Sequence, residues 1–308
     1  MSRSLLLIVL VAITSLALPA CFESTTAPTA NAYQGSKGWI IGIEKAKEHF
    51  QAGALFLDTR EAEHWAVDHL NGAPRADWLS FAESDDPERG LILKEEATLT
   101  ERLQSLGVST GRPVVVYGDS LSGWGEDGRI VWLLRTLGHE SVYLLDGGYL
   151  ALSNSSLPRD STAVVAGKGD FIINEKSDWL ITMEELQDIV EKKSGQTIII
   201  DTRERREYDG ETPYGETRGG HIPGALHLHY EELLNSYGEL KSNEAIDAAL
   251  TSLGIKKDSD VVVYCTGGVR SAWLAVLLAD WGITRARNYA GSMWEWSAGS
   301  AETYPLEF

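Results

Sequence analysis

The sequence predicts an α/β protein made of two tandem domains, each a mainly parallel sheet flanked by helices. Segments of similar pattern recur in the same order in the two halves of the chain. Short runs that are apolar throughout, as in strands buried on both faces, alternate with longer segments of helical periodicity. The length of 308 residues and the hydrophobic fraction of 43% are typical of about two globular domains.

The repeat consists of four pairs of matching segments. The pairs are 54–65 with 197–208, 68–81 with 220–233, 112–120 with 259–267, and 137–152 with 281–296. Four matches in one order indicate an internal duplication. We therefore place domain 1 at 37–153, a polar linker at 154–177 and domain 2 at 178–308. In each half, apolar runs such as "VVVY" are the predicted strands, and segments such as "SAWLAVLLADWG" are the predicted helices.

The first twenty residues have the pattern of an export signal. Arg3 precedes an apolar run, Leu5–Leu18, which is too short to span a bilayer as a helix. The run is followed by Pro19-Ala20 and then Cys21, an ending that resembles a bacterial lipobox, in which the cysteine receives a lipid. The alternatives are cleavage without lipid and an ordinary membrane anchor.

Residues 21–36 contain few apolar side chains and are predicted to form a tether. Phe22, rather than an aspartate, follows Cys21, which favours the outer membrane over retention at the inner membrane. We expect an exported bacterial protein, periplasmic or attached to the membrane through lipidated Cys21.

The net charge of the chain limits its partners. At −18, it argues against nucleic acids and anionic membrane surfaces as partners. A small anionic substrate would need a local cationic pocket.

Cys265, one of two cysteines, lies where the predicted strand "VVVY" ends and the loop "TGGVR" begins. A glycine-rich loop between a strand and a helix points backbone N–H groups inward, and these stabilise an anion together with the helix N-terminus. We therefore expect Cys265 to be a thiolate near neutral pH, with Arg270 adding positive charge at the rim. If Cys21 is lipidated, Cys265 has no partner for an internal disulfide. The alternative is an inert thiol packed in the core.

The combination of these motifs resembles the rhodanese-type sulfurtransferases over nearly all of residues 37–308. The motifs are Asp201-Thr202-Arg203, Gly220-His221-Ile222-Pro223-Gly224-Ala225 and Cys265-Thr266-Gly267-Gly268-Val269-Arg270. The resemblance implies two rhodanese-like domains, with Cys265 as the catalytic nucleophile. It implies a substrate-binding loop formed by Thr266, Gly267, Gly268, Val269 and Arg270. In two-domain members the N-terminal copy is commonly inactive, and here Gly118 occupies the position that matches Cys265.

The resemblance implies a two-step reaction without a metal or an organic cofactor. Cys265 takes the outer sulfur of a small anionic donor such as thiosulfate, and a thiol or cyanide acceptor then removes it from the persulfide. The loop has four residues between Cys265 and Arg270, fewer than in related phosphatases, and suits a sulfur better than a phosphoryl group. The alternatives are a 3-mercaptopyruvate donor and a non-catalytic module that binds sulfur or docks a partner at the membrane.

Three residues outside the loop are predicted to support the fold. Asp201, Arg203 and His221 all have equivalents in the domain that lacks the cysteine; these are Asp58, Arg60 and His69. A residue that is retained in an inert copy is expected to serve the scaffold.

One position departs from the family pattern. Two-domain members usually place a substrate-binding arginine just before the aromatic residue that follows the Asp-x-Arg motif, and here that position is Glu207. The neighbouring Arg206 is the candidate to replace it, and the alternative for Arg206 is an exposed turn.

Overall fold

The structure is a computed structural model that describes residues 33–192 and 197–308. The predicted export signal at 1–20, Cys21 and most of the tether lie outside the described residues. Within the described part of the chain, no helix has the length and apolar character needed to cross a membrane.

Domain 1 alternates strands and helices, as the sequence predicts. The strands of domain 1 and its linker are β1 (Ile40–Ile41), β2 (Leu55–Asp58), β3 (His69–Leu70), β4 (Val114–Tyr117), β5 (Val142–Leu145) and β6 (Arg159–Asp160). The helices are α1 (Ile43–Gln51), α2 (Ala62–Val67), α3 (Glu96–Ser105), α4 (Glu126–Thr136) and α5 (Gly148–Ser153), with a 3₁₀ turn at Trp78–Phe81.

Domain 2 repeats the same plan. Its strands are β7 (Thr197–Asp201), β8 (Leu226–His227), β9 (Asp260–Tyr264) and β10 (Arg285–Asn288). Its helices are α6 (Met183–Lys192), α7 (Arg205–Tyr208), α8 (Asn243–Ser252), α9 (Val269–Trp281) and α10 (Ser292–Ala298), with 3₁₀ turns at Ser177–Trp179 and Tyr230–Leu233.

Each domain contains one parallel sheet. The order is β1-β5-β4-β2 in domain 1 and β10-β9-β7-β8 in domain 2, so β4 and β9 occupy equivalent central places. All pairings within these two sheets are parallel. The carboxyl ends of parallel strands meet at one edge, where loops carry chemistry. Cys265 follows β9 directly, which places it at that edge.

The two domains meet through equivalent helices, α4 and α9. Every residue of α9 is buried, as is every residue of α4 from Asp127 to Thr136. The backbone of α4 approaches α9 closely: a Cβ on Gly128 would lie 2.5 Å from the Cβ of Trp273. Only glycine permits this approach. The apolar side chains of both helices belong to one continuous core that extends into both sheets.

Two segments predicted to be polar connections are more ordered than the sequence suggests. In the linker, β6 pairs with β3, and the ring of Phe171 is buried in the core. The end of the tether also packs, since Tyr33 is buried and the N–H of Ser36 donates to the carbonyl of Asp280 at 2.6 Å. A few apolar residues in a polar segment are sufficient to anchor it to a neighbouring surface.

Candidate active site

The loop after β9 is shaped by glycines that approach neighbouring backbone. Gly268 has φ 76° and precedes the first residue of α9, Val269. A Cβ on Gly268 would lie 2.3 Å from the carbonyl oxygen of Ala290, and one on Gly267 would lie 2.1 Å from the ring of Trp294. Larger residues would therefore force the loop away from α10 and its preceding turn.

The sulfur of Cys265 lies at the base of this loop, and the residue is 1% exposed. The N–H of Gly268 donates to Sγ at 3.1 Å, and the hydroxyl of Ser271 lies 3.5 Å from Sγ. Burial alone would raise the pKa of the thiol. The charge of Arg270 and hydrogen bonds from Ser271 and the N–H of Gly267 outweigh burial and hold the pKa of Cys265 below its ordinary value.

Ser292 supports the loop from the start of α10. Its hydroxyl accepts a hydrogen bond from the N–H of Cys265 at 3.0 Å and donates to the carbonyl of Tyr289 at 2.7 Å. Ser292 has φ 51°, a left-handed conformation that is uncommon for a residue with a side chain. The strained backbone places the hydroxyl within hydrogen-bond distance of the N–H of Cys265.

The sequence places the positive charge of Arg270 at the rim of the loop, and in the structure this side chain is paired inside the protein. It is buried, and its nitrogens bind both carboxylate oxygens of Glu207, with Nη1–Oε2 2.6 Å and Nη2–Oε1 2.8 Å. The same Nη2 donates to Oγ1 of Thr266 at 2.7 Å. Since Glu207 accepts hydrogen bonds from both Nη1 and Nη2, Arg270 has no free pair of N–H groups with which to bind an anion in a bidentate way. Its charge still favours the Cys265 thiolate.

A cavity of about 250 Å³ opens above the cysteine. Five residues of the predicted loop line it: Cys265, Thr266, Gly267, Val269 and Arg270. The remaining walls are Tyr214 and Trp294 from domain 2 and Glu61, Trp78, Trp124 and Glu126 from domain 1. The domain without a nucleophile therefore contributes a large share of the substrate cavity.

Arg206 does not line this cavity. Its side chain is exposed, and it forms an ion pair with Glu204, Nε–Oε2 2.6 Å, and donates to the hydroxyl of Tyr214 at 3.0 Å. This placement does not support the predicted substrate-binding role of Arg206, because the side chain lies outside the cavity lining and is paired with a carboxylate.

The predicted scaffold residues are buried and have nearly identical surroundings in both domains. Arg203 binds Asp201, Nη2–Oδ2 2.7 Å, and donates to the carbonyl of Gly220; Arg60 repeats the pair with Asp58 at 2.7 Å. The Nδ1–H of His221 donates to the carbonyl oxygen of Tyr208, 3.0 Å away, and the His221 ring stacks on that tyrosine.

In each domain the arginine joins the aspartate at the end of a strand, β2 or β7, to the backbone of a later turn. In domain 1, His69 stacks on Trp65 in the same way that His221 stacks on Tyr208. None of Asp201, Arg203 and His221 lines the cavity. The supporting role of these three residues stays a prediction.

Arg129 of α4 reaches the catalytic loop from domain 1 and was not identifiable from the sequence. It is 2% exposed, and it donates to the carbonyls of Gly268 at 3.0 Å and Gly90 at 2.6 Å. No carboxylate pairs with it among the described residues. Burial lowers the pKa of Arg129 to about 10, and the negative charge of Cys265 opposes that shift. The guanidinium is therefore a second positive charge near the thiolate.

Comparison with known proteins agrees with this architecture. The model of the rhodanese-like domain family matches residues 43–155 and 182–299. The chain is 33% identical to the sulfur carrier protein TtuD of Thermus thermophilus, over 74% of this chain and 82% of that protein. It is 29% identical to a thiosulfate sulfurtransferase of Pseudomonas aeruginosa, over 82% of this chain and 90% of that protein.

A solved structure extends the likeness to three dimensions. The crystal structure of SseA from Escherichia coli, described as a 3-mercaptopyruvate sulfotransferase with the rhodanese fold, superposes with a TM-score of 0.72 at 25% identity. The match covers 82% of this chain and 98% of SseA. Both domains, the strand order and the placement of the cysteine loop thus have one explanation: this chain belongs to the rhodanese family and is a tandem-domain sulfurtransferase.

Proposed function

We propose that the chain moves sulfane sulfur through a persulfide on Cys265, from a donor such as thiosulfate to a thiol or cyanide acceptor. The observation that carries the proposal is the position of Sγ. It lies under an open cavity of about 250 Å³, receives the N–H of Gly268, and has a pKa held below its ordinary value by nearby positive charge. A reactive cysteine needs this combination of access and anion stabilisation.

The first step forms the persulfide. The Cys265 thiolate attacks the outer sulfur of thiosulfate, the bond between the two sulfur atoms of the donor breaks, and its electron pair leaves with sulfite. The terminal sulfur of the persulfide then carries the negative charge. The inward N–H groups of the loop are the groups available to stabilise that charge.

Two donors remain open for this loop. Relatives of this chain are named for thiosulfate and for 3-mercaptopyruvate. Because Glu207 pairs with both terminal nitrogens of Arg270, a thiosulfate dianion would have to be bound by backbone N–H groups and by the net positive electrostatic potential of the loop. We therefore expect thiosulfate to bind weakly.

A donor panel tests the function directly. Purified full chain is mixed with thiosulfate or 3-mercaptopyruvate, and sulfite or pyruvate release is measured with cyanide as acceptor. Intact-mass spectrometry before cyanide is added should detect one extra sulfur atom on wild-type protein and none on Cys265→Ser. Absence of both the added sulfur and turnover with either donor would contradict the enzyme proposal and favour the sulfur-binding or docking alternative.

The subcellular localisation of the protein is a separate part of the proposal. The basic start, the short apolar run and Cys21 support export of the chain, followed by attachment to the membrane through a lipid on Cys21. Blocking lipoprotein signal processing with globomycin should make the uncleaved precursor accumulate. A precursor that is processed normally under this treatment would instead support plain secretion.

A further inference from the structure

The walls of the cavity above Cys265 are mostly aromatic. Trp78, Trp124, Tyr214 and Trp294 contribute their rings, and Trp124 is 40% exposed. The rings of Trp124 and Tyr214 meet edge to face, with centroids 4.8 Å apart at 88°. Aromatic faces carry negative potential and attract cations. A tryptophan that stays this exposed at the mouth of a catalytic cavity provides contact area for a ligand.

The charged groups of the same cavity favour a positive ligand. Its charged lining residues are Glu61, Glu126 and Arg270. Glu207 compensates Arg270 through two short contacts. Glu61 is exposed and forms no ion pair with another described residue. After this pairing, the charge left at the mouth of the cavity comes from carboxylates.

Guanidinium groups of the chain already lie over the rings of this wall. The guanidinium carbon of Arg270 lies 4.9 Å from the ring centroid of Trp124, and that of Arg129 lies 5.9 Å from the centroid of Trp78. The guanidinium carbon of Arg89 lies 3.8 Å from the ring centroid of Trp294, and Arg89 forms an ion pair with Asp86 at 3.3 Å. The wall is therefore compatible with cation–π contacts in its present shape. Among the residues that line the cavity, the only basic side chain is Arg270, which Glu207 pairs, so an anionic thiol would face the carboxylates of Glu61 and Glu126.

From these contacts we propose that the cavity selects a sulfur acceptor that is a small organic thiol bearing a positive charge, such as a quaternary ammonium. This inference rests on the proposed persulfide chemistry of Cys265. The cationic end lies among the rings of Trp78 and Trp124 and the carboxylates of Glu61 and Glu126. These four residues belong to domain 1, so the domain without a nucleophile determines acceptor choice.

The transfer step needs no additional reagent. The acceptor thiolate attacks the outer sulfur of the Cys265 persulfide, and a new sulfur–sulfur bond forms on the acceptor. The bond between Sγ and the outer sulfur breaks, and its electron pair returns to Cys265 as thiolate. The acceptor leaves as a persulfide, and its terminal sulfur keeps the negative charge that it carried on Cys265.

Binding is tested first without any sulfur chemistry. The Cys265→Ser protein is titrated with choline and with its uncharged analogue 3,3-dimethyl-1-butanol, and quenching of tryptophan fluorescence is recorded. We expect saturable quenching by choline, at least tenfold tighter than by the neutral analogue, and weaker after adding Trp124→Leu. Equal affinities for the two probes would overturn the proposal, whether or not the protein forms a persulfide.

Transfer is tested on persulfide-loaded full chain. Loss of the extra sulfur is followed with thiocholine, 2-mercaptoethanol and 3-mercaptopropionate, and each rate is divided by the thiolate fraction of the thiol. The corrected rate with thiocholine, divided by the corrected rate with 3-mercaptopropionate, should be at least tenfold higher on the protein than on free cysteine persulfide. This rate ratio should decrease when salt is added. A ratio equal to that of the free persulfide would overturn the proposal.

Charge variants locate the selectivity. The double variant Glu61→Gln with Glu126→Gln should reduce the thiocholine ratio several-fold, because both carboxylates at the mouth are removed. Glu63→Gln is the matched control, since Glu63 is an exposed carboxylate of α2 outside the cavity lining. An unchanged ratio in the double variant, or an equal decrease in the control, would contradict the assigned site. A protein that binds choline selectively but never forms a persulfide would refute the proposed function alone.

Discussion

The loops after β4 and β9 both end at a left-handed glycine, but they differ in length and in charge: the first spans residues 118–125 and the second only 265–268. Gly125 and Gly268 adopt φ 80° and φ 76°, and each immediately precedes a helix that packs against the other domain. Two residues later, domain 1 has Asp127 where domain 2 has Arg270. Burial raises the pKa of Asp127 to about 7, whereas Arg270 is held charged by Glu207. The difference teaches that this scaffold tolerates either charge, while only the cationic version supports a thiolate.

The nucleophile position differs in space as well as in chemistry. Gly118 follows β4 as Cys265 follows β9. A Cβ on Gly118 would lie 2.7 Å from Oγ1 of Thr59 and 3.1 Å from Cγ of Asp127. The carboxylate that replaces the arginine thus also fills the space that a cysteine would need.

The largest effect is expected from moving the cysteine between the domains. Cys265→Ser should reduce sulfur transfer at least a thousandfold, because a serine hydroxyl remains protonated where the thiol ionises. Adding Gly118→Cys to that variant should not restore activity, since position 118 is crowded and its neighbour is an acid. Sulfite release and intact mass after thiosulfate treatment measure both. Rescue by Gly118→Cys would mean that domain 1 retains a working site.

The ion pair of Arg270 and Glu207 should influence Cys265 in two opposite directions. Arg270→Met removes the nearest positive charge, so the pKa of Cys265 should rise and turnover should decrease by about 2–4 kcal/mol of transition-state stabilisation. Glu207→Gln leaves Arg270 uncompensated, so the pKa of Cys265 should decrease below that of the wild type. The pH profile of iodoacetamide alkylation measures both shifts.

A paired variant separates this charge effect from damage to the fold. Arg270→Met alone leaves Glu207 buried without a partner, which is destabilising in itself. The double variant Arg270→Met with Glu207→Gln should fold more stably than the single variant and still show the raised pKa of Cys265. Alkylation profiles that coincide for wild type, both single variants and the double variant would contradict the electrostatic assignment.

Arg129 provides a test of how domain 1 acts on the site of domain 2. Arg129→Met should raise the pKa of Cys265 and lower turnover about tenfold, or about 1.4 kcal/mol, because a charge near the thiolate and a hydrogen bond to Gly268 are both lost. Arg135→Met is the matched control. Arg135 lies on the same helix, burial lowers its pKa to about 10 as well, and it donates to the carbonyls of Glu140 and Val142 away from the loop.

Both arginine variants should lose stability, which a thermal melt will record. Only Arg129→Met should shift the alkylation profile of Cys265 to higher pH. If Arg135→Met shifted the profile equally, the effect of Arg129 would be a general loss of packing between the domains.

The smallest effect on turnover is expected at the inert loop, where a substitution should change stability alone. The pKa of Asp127 is raised by burial from 3.8 to about 7, so the folded state holds a proton that the unfolded state has released between these two values. This contribution to stability therefore decreases as pH rises from about 4 to 7 and stays lost above 7. Asp127→Asn should stabilise the protein by about 1–3 kcal/mol at pH 8 and by little at pH 4, measured by thermal or urea unfolding. An equal effect at both pH values would contradict a buried titrating carboxyl.

The strands, the helices and the cysteine loop could be predicted because each has a local signature. The run "VVVY" is a strand in both halves, and the glycine that precedes each central helix is visible in the sequence. The environment of Arg270 was not predictable in the same way. Its partner Glu207 lies 63 residues away, and only the packing of α7 against the loop brings them together.

Arg129 was still less accessible to prediction. It donates to Gly268, 139 residues away and in the other domain. Nothing in the periodicity of α4 distinguishes it from Arg135, which is also buried but donates to carbonyls away from the cysteine loop. The packing of the linker and of the end of the tether could not be predicted for a related reason: their composition is polar, and only a few buried residues such as Phe171 anchor them.

The packing of α4 against α9 has a consequence for how this enzyme depends on concentration. Equivalent helices of two copies that pack on each other form the self-complementary contact of a two-fold homodimer. Joined in one chain, the two copies meet at a high effective concentration, whatever the dilution of the protein. The cavity, with walls from both domains, is therefore assembled in every folded molecule, and one copy was free to lose its cysteine and become a substrate wall.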